Sequence, residues 1–349
     1  MEDNNMKMKR LDFLNRDVSG VIMGTMPLFS GDLAEHFDHL DMATEFGVNI
    51  LDTAIGYGGS EVSIGKWMSA RNNRKDHILI TKGCHPGPEG KRVTPKDLAD
   101  DLFRSLERLE TDYIDIYLLH RDDLDLPVDP IVDALNEHFA AGRIKSFGGS
   151  NWTHQRIQEA NDYAAKNGLE PFRVSSPSYT LAEQACEPWA PGTVTISGPD
   201  EEPARQWYAA NQMPLFAYSS LARGFFSGMV TRERYEAEKD RIMSASILFS
   251  GKATKDQRTG RGETIDPICA KAYCIEPNFR RLDRCMELAK EKGYTVAQIA
   301  LAFIANSPMN VFPISGVANR EELKSTIDAI SIPLTQRELD WLDLKSDHR

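Results

Sequence analysis

The sequence predicts an α/β fold, a (β/α)8 TIM barrel entered through a β-hairpin, and three observations lead there. Short apolar runs rich in Val and Ile alternate with amphipathic, charge-bearing stretches of helical length. The alternation repeats eight times, which is what a closed parallel sheet under a ring of helices requires. At 349 residues the chain is the right size for one such barrel. A single domain over 1–349 is therefore expected.

The elements follow in order. Residues 1–7 are polar and expected to be disordered, and 8–19 read as the hairpin. Barrel strands are expected over 21–23, 48–52, 77–81, 113–119, 144–148, 172–175, 214–218 and 310–313. Helices are expected over 33–46, 60–69, 95–110, 130–141, 153–166, 202–210, 278–292 and 320–330. Thr94-Pro95-Lys96-Asp97 supplies a capping hydroxyl, proline at the first helical position and an acid in the first turn. Asp129-Pro130 reads as the same cap-then-proline start. Two stretches break the rhythm: 183–203, rich in Pro, Gly and acids, and 230–277, long, polar and carrying Gly260-Arg261-Gly262. Both are expected to be long loops after the late strands, over the active-site face.

Charge and composition exclude several functions. A formal net charge of -11 argues against a nucleic-acid partner, which calls for a basic face. No apolar run approaches the ~18 residues of a membrane span, and the polar start lacks the apolar core of a signal peptide. The expected location is cytoplasmic. The five cysteines are scattered without C-x-x-C spacing, and Cys269, Cys274 and Cys285 lack zinc-finger spacing. Free thiols and no metal are expected.

In a barrel of this kind the site forms at the C-terminal ends of the strands. Those ends deliver Asp52 with Tyr57 five residues on, Lys82, His120, Ser150 with Asn151, and Tyr218 with Ser219. Taken singly, each has an ordinary structural role as cap, turn former or solvated side chain. Together they suit one chemistry. A tyrosine hydroxyl, with a free pKa of about 10, is a poor acid near neutrality, and a nearby ammonium lowers that value. Asp52 would hold Lys82 charged, and His120 would donate a hydrogen bond to a carbonyl oxygen.

The run Leu51-Asp52-Thr53-Ala54-Ile55-Gly56-Tyr57-Gly58-Gly59-Ser60-Glu61, followed by Thr81-Lys82 and Leu118-Leu119-His120, resembles the aldo-keto reductase signature in order and spacing. So do Phe147-Gly148-Gly149-Ser150-Asn151 and Ala217-Tyr218-Ser219-Ser220-Leu221-Ala222-Arg223-Gly224. The resemblance runs from about Ser19 to Leu344. It implies an NADP(H)- or NAD(H)-dependent oxidoreductase acting on a small carbonyl or alcohol, with Asp52, Tyr57, Lys82 and His120 as catalytic tetrad. It further implies Ser150 and Asn151 on the nicotinamide carboxamide, Tyr218 stacked on the ring, and Ser219, Leu221 and Arg223 along the pyrophosphate. Gly316, Glu322 and Thr326 would face the adenosine end. Two departures stand out. Ser176 occupies the place of a usual Gln, three residues before Tyr179. In the adenosine segment Glu322 sits where a cation commonly holds the 2′-phosphate, which turns the expectation toward weak NADP(H) preference or use of NAD(H).

Trp152, Trp189, Phe225 and Phe226 are candidate apolar walls for substrate, with Arg121, Asp122 and Asp123 as polar contacts, a combination suited to a sugar-derived or hydroxylated carbonyl compound. Two other readings are open. A glycoside hydrolase would draw its two carboxylates from Asp52, Asp122 and Asp123. A cofactor-binding regulatory module of the same superfamily would keep much of the tetrad. Oligomeric state is not legible.

Overall fold

A computed structural model of the chain describes residues 6–189, 191–245 and 264–349. Strands β1 (Met8–Leu11) and β2 (Arg16–Ser19) form the antiparallel hairpin, in register from Met8 opposite Ser19 to Leu11 opposite Arg16. The eight strands that follow close a parallel barrel: β3 (Ile22–Gly24), β4 (Ile50–Asp52), β5 (Ile78–Gly83), β6 (Ile116–Leu119), β7 (Phe147–Ser150), β8 (Val174–Ser176), β9 (Leu215–Ala217) and β10 (Val311–Ser315). They pair in chain order, and β10 returns to β3.

The barrel interior is filled by Ile22, Ile50, Ile78, Ile80, Ile116, Leu118, Val174, Phe216 and Phe312, and the hairpin's Leu11 and Val18 join the same cluster. The hairpin plugs the N-terminal end, where Arg16 donates to the Lys75 carbonyl just ahead of β5 and the Ser19 N–H to Asn49 just ahead of β4. Lys9 fastens it, donating to the Val311 carbonyl at 2.9 Å with its ammonium 4.0 Å from the Phe312 ring centroid. Burial brings the Lys9 pKa down to about 8. On β7 two glycines admit close neighbours: a Cβ at Gly148 would stand 2.0 Å from the Val174 carbonyl oxygen, and one at Gly149 would stand 2.6 Å from the Trp152 ring.

Around the barrel lie α1 (Leu33–Glu45), α2 (Ser60–Arg71), α3 (Pro95–Arg108), α4 (Asp129–Ala140), α5 (His154–Asn167), α6 (Glu202–Asn211), α7 (Arg232–Ser244), α8 (Pro267–Tyr273), α9 (Glu276–Lys292), α10 (Val296–Ala305), α11 (Arg320–Ala329) and α12 (Gln336–Leu342). Thr94 caps α3 as its sequence predicts, accepting from the Asp97 N–H. Asp129 does not cap α4. It is the first helical residue, and Val128 holds the cap position without a side-chain bond.

The expected loop over 230–277 is instead partly helical, since α7, α8 and the start of α9 fall within it; its Gly260-Arg261-Gly262 lies outside the described residues. The reason is compositional. In α7 only Ile242 is buried, so the helix shows no apolar stripe. Helix α10 escapes periodicity for the opposite reason: Ile299 to Ile304 are all buried, so apolar residues surround it, and its visible signal is the Thr295/Gln298 capping box. The described residues of the 183–203 stretch are irregular as expected, apart from a 3-10 turn at Pro199–Glu201 and the first two residues of α6. Of 1–7, residues 1–5 lie outside the described residues, whereas Lys7 is tied down: its carbonyl accepts from the Gly20 N–H at 2.7 Å. No helix among the described residues is long and apolar enough to cross a membrane.

Candidate active site

With the hairpin blocking one end, the barrel opens at the C-terminal ends of its strands, into a cavity of about 430 Å³. Asp52 ends β4, Lys82 lies one residue before the end of β5, His120 follows β6, and Ser150 ends β7. Tyr57 reaches the same cavity from a tight turn in which its N–H donates to the Ala54 carbonyl at 2.9 Å. That turn is moored to β5, because the Ile55 N–H donates to the Lys82 carbonyl at 3.1 Å.

Lys82 is held from two sides. Its Nζ lies 2.6 and 2.8 Å from the two Asp52 carboxylate oxygens and donates to the Thr53 carbonyl at 2.8 Å. Both side chains are almost fully buried. Burial alone would depress the Lys82 pKa, but the adjoining Asp52 carboxylate outweighs it and keeps the amine an ammonium with a raised pKa. That ammonium lies 4.9 Å from the Tyr57 ring centroid. Burial raises the Tyr57 hydroxyl pKa and the Lys82 charge works against it. The net direction is upward, opposite to what the ammonium alone predicts, because desolvation is invisible in the sequence.

His120 meets Tyr57 edge-to-face, with ring centroids 5.9 Å apart, and His85 at 4.8 Å. Burial drives the His120 pKa well below its ordinary value, helped by Lys82. The ring is therefore neutral near pH 7 and is suited to donating a hydrogen bond rather than a proton.

Asn151 sits in the left-handed region (φ 59°) and has every hydrogen-bonding position filled. Its Oδ1 accepts from the Tyr218 hydroxyl at 2.6 Å and the Val194 N–H at 3.1 Å. Its Nδ2 donates to the His120 carbonyl at 3.1 Å and to Ser150 Oγ at 3.2 Å. These bonds tie Asn151 to Tyr218 and His120 and so position both at the cavity. Ser150 Oγ donates to the Ser176 carbonyl and keeps one acceptor lone pair. Ser176 spends its own hydroxyl on the Phe216 carbonyl.

At the far end of the cavity Ser219, Ala222 and Arg223 all take positive φ, and Ser219 to Leu221 line the wall. Among the described residues the N–H groups of Ser219, Ser220 and Leu221 donate no hydrogen bond, so three successive donors are available at that wall. Such a cluster suits phosphate oxygens. Arg223 lines the same wall, ion-paired with Asp266 and stacked 4.1 Å from the Trp189 ring centroid. Gly316 is there too: a Cβ on it would come within 3.3 Å of Pro27. These features fit a dinucleotide.

Several expected site residues are elsewhere. Trp152 is buried against Phe172 and donates its indole N–H to the Arg121 carbonyl; Phe225 and Phe226 are core. Asp122 pairs with Arg156 and Asp123 with Lys91, so neither faces the cavity. Asp52 is thus the one acid in its described lining, which removes the two-carboxylate hydrolase reading. Glu322 and Thr326 lie outside the lining: Glu322 Oε2 accepts from the Ala318 N–H at 2.9 Å, and Thr326 donates to the Glu322 carbonyl. Arg121 and Trp189 do line the cavity. His85 and Thr193 join them unannounced. His85 could have been read from its position just past the end of β5, whereas Thr193 sits in aperiodic sequence with no signal.

The chain belongs to the aldo/keto reductase family, an oxidoreductase family, whose model matches residues 20–347. Among its relatives, norsolorinic acid reductase B of Aspergillus parasiticus is 28% identical over 319 residues, covering 88% of this chain and 73% of the relative. An uncharacterized oxidoreductase of Bacillus subtilis is 27% identical, covering 93% and 91%. An aryl-alcohol dehydrogenase of Pestalotiopsis microspora is 26% identical, covering 88% and 71%. The crystal structure of a thermostable aldo-keto reductase in complex with the inhibitor epalrestat superposes with a TM-score of 0.67 at 23% identity. That match covers 98% of this chain and all of the other, and it supports the barrel fold.

Proposed function

We propose that this chain is an NAD(P)-dependent carbonyl reductase and alcohol dehydrogenase in which Tyr57 passes the proton. The observation that carries the reading is the Asp52–Lys82 ion pair set against the Tyr57 ring and beside neutral His120, in one cavity. A nicotinamide cofactor, when bound, supplies or accepts the hydride. Ser150 and Tyr218 would hold the nicotinamide end, and Ser219, Leu221, Arg223 and Gly316 the phosphate end.

In reduction, negative charge grows on the substrate oxygen as its carbon is reduced. Tyr57 gives that oxygen its proton, and His120 donates a hydrogen bond to it. Lys82 makes the transfer feasible by stabilising the phenolate that Tyr57 becomes, and Asp52 keeps Lys82 charged and in place. In oxidation the same phenolate takes the alcohol proton. One relative is named as an aryl-alcohol dehydrogenase, and the rings of Tyr57, Trp189 and Tyr218 line a cavity that would accept an aromatic substrate.

Tyr57→Phe tests the reading. The ring stays and the proton is lost, so aldehyde reduction should fall by about 10²–10⁴-fold while cofactor affinity, read by fluorescence titration, changes little. A Phe variant that keeps more than about a third of turnover removes Tyr57 from this role, provided chemistry limits the rate.

A further inference from the structure

Four arginines among the described residues are buried, and three have carboxylate partners: Arg156 with Asp122, Arg223 with Asp266, and Arg281 with Glu183 and Asp343. Arg121 is the exception. It follows His120 directly, is only 5% exposed and lines the cavity. One of its five N–H groups is spent, Nη1 donating to the His120 carbonyl at 2.8 Å, and its buried Nε has no partner. No carboxylate among the described residues forms an ion pair with it. The charge of Glu187 reaches it, but Glu187 is exposed, and its carboxylate accepts from the Thr193 N–H at 3.4 Å. Burial depresses the Arg121 pKa, the mark of a cation held without compensation.

The charges of the cavity wall point the same way. Lys82 is neutralised by Asp52 and Arg223 by Asp266, which leaves Arg121 as an uncompensated positive charge in a protein of net charge -11. Its charge acts on the hydroxyls of both Tyr57 and Tyr218, so it sits at the reacting end of the cavity and not at the phosphate end. An oxidised nicotinamide is itself positive and cannot serve as its counter-ion. Beside it, Thr193 carries a buried hydroxyl oxygen without a partner, and His85 adds a second ring on the same wall.

We propose that Arg121 is the specificity-determining anchor for a substrate carboxylate, so that the preferred substrates are carbonyl compounds bearing a carboxylate. The guanidinium fork matches a carboxylate through paired N–H donors. This rests on the carbonyl-reductase reading of the cavity and deepens it.

The test compares catalytic efficiencies on matched pairs: succinic semialdehyde with its methyl ester, and 3- and 4-carboxybenzaldehyde with their methyl esters. The pairs vary the distance from carbonyl to carboxylate. The wild type should prefer the acid in at least one pair. Arg121→Met should lower that acid-to-ester ratio by about tenfold or more, the loss expected for one charge-assisted contact, mostly through KM, and Arg121→Lys should restore part of it. Circular dichroism and melting confirm that each variant is folded, and Lys keeps the buried charge should Met fail to fold. An acid-to-ester ratio near one in the wild type overturns the proposal, as does a ratio unmoved by Arg121→Met. So does an effect confined to cofactor affinity. If the carbonyl-reductase reading itself fails and no aldehyde is turned over, equilibrium binding of the same acid and ester pairs, read through tryptophan fluorescence, still decides: binding without an Arg121-dependent preference for the acid overturns it.

Discussion

Replacing Lys82 by Met separates the electrostatic role of the ammonium from its structural one. The substitution removes a charge lying 2.6 and 2.8 Å from the Asp52 oxygens, and leaves that carboxylate buried without a counter-ion. Breaking a buried pair from one side costs about 3–5 kcal/mol, against the roughly 5–15 kcal/mol of total stability a folded protein has. The variant should fold with a clearly lowered melting temperature. The double variant Asp52→Asn/Lys82→Met, which removes the stranded charge, should recover much of it.

The catalytic effect has a different signature. At 4.9 Å from the Tyr57 ring centroid, a unit charge in an effective dielectric of about 20 contributes about 3 kcal/mol, or roughly two pH units. The sign follows from which form the charge favours. Lys82 stabilises phenolate, so its loss raises the Tyr57 pKa further. The rise of alcohol oxidation with pH should therefore move upward by about one to two units in the single variant, and by less in the double variant, where loss of the Asp52 charge, which itself raises the Tyr57 pKa, partly offsets it. The assay is kcat/KM for benzyl alcohol oxidation across the alkaline range. A folded Lys82→Met protein with the wild-type pH profile would refute the coupling, and recovery of stability in the double variant with the profile still displaced would support it.

Two further outcomes are expected. His77, His85, His120 and His138 all have pKa values lowered chiefly by burial, so the unfolded chain binds more protons than the folded one below about 6.5. Stability should be full above that pH and should fall as the pH drops from there toward the folded values; a melting temperature flat down to about pH 5 would contradict this. For the cofactor, Arg320 is ion-paired with Glu45 and Glu322 presents its carboxylate to the Ala318 N–H. NADP(H) preference should therefore be weak. Glu322→Gln, which keeps an acceptor for that N–H, should raise the NADP(H)-to-NAD(H) efficiency ratio several-fold, and Glu322→Arg by about tenfold or more. A wild type already favouring NADPH about a hundredfold, and losing that preference in Arg320→Ala, would show that Arg320 reads the phosphate.

The eight-fold alternation was sufficient to specify the barrel, because short continuous apolar strands and amphipathic helices have one efficient way to bury each other. Strand ends then located Asp52, Lys82, His120 and Ser150 at one rim, since side chains at the C-terminal ends of parallel strands converge whatever lies between them in the chain. Helices α7 and α10 were not legible, one too polar and the other too apolar to show a stripe. The distinction between wall and core among the aromatics also lay beyond the sequence: Trp189 reached the cavity, while Trp152, Phe225 and Phe226 packed inward. Carboxylate partnership followed the same rule. Asp122, Asp123 and Arg121 are three successive charges in the chain, yet Arg156 and Lys91, brought in from elsewhere, take the two acids and leave the arginine facing the cavity. Which charges end up paired depends on what arrives from distant segments, so the chain alone fixed the residue types at the site, and the packing of the folded barrel decided which of them were left to act.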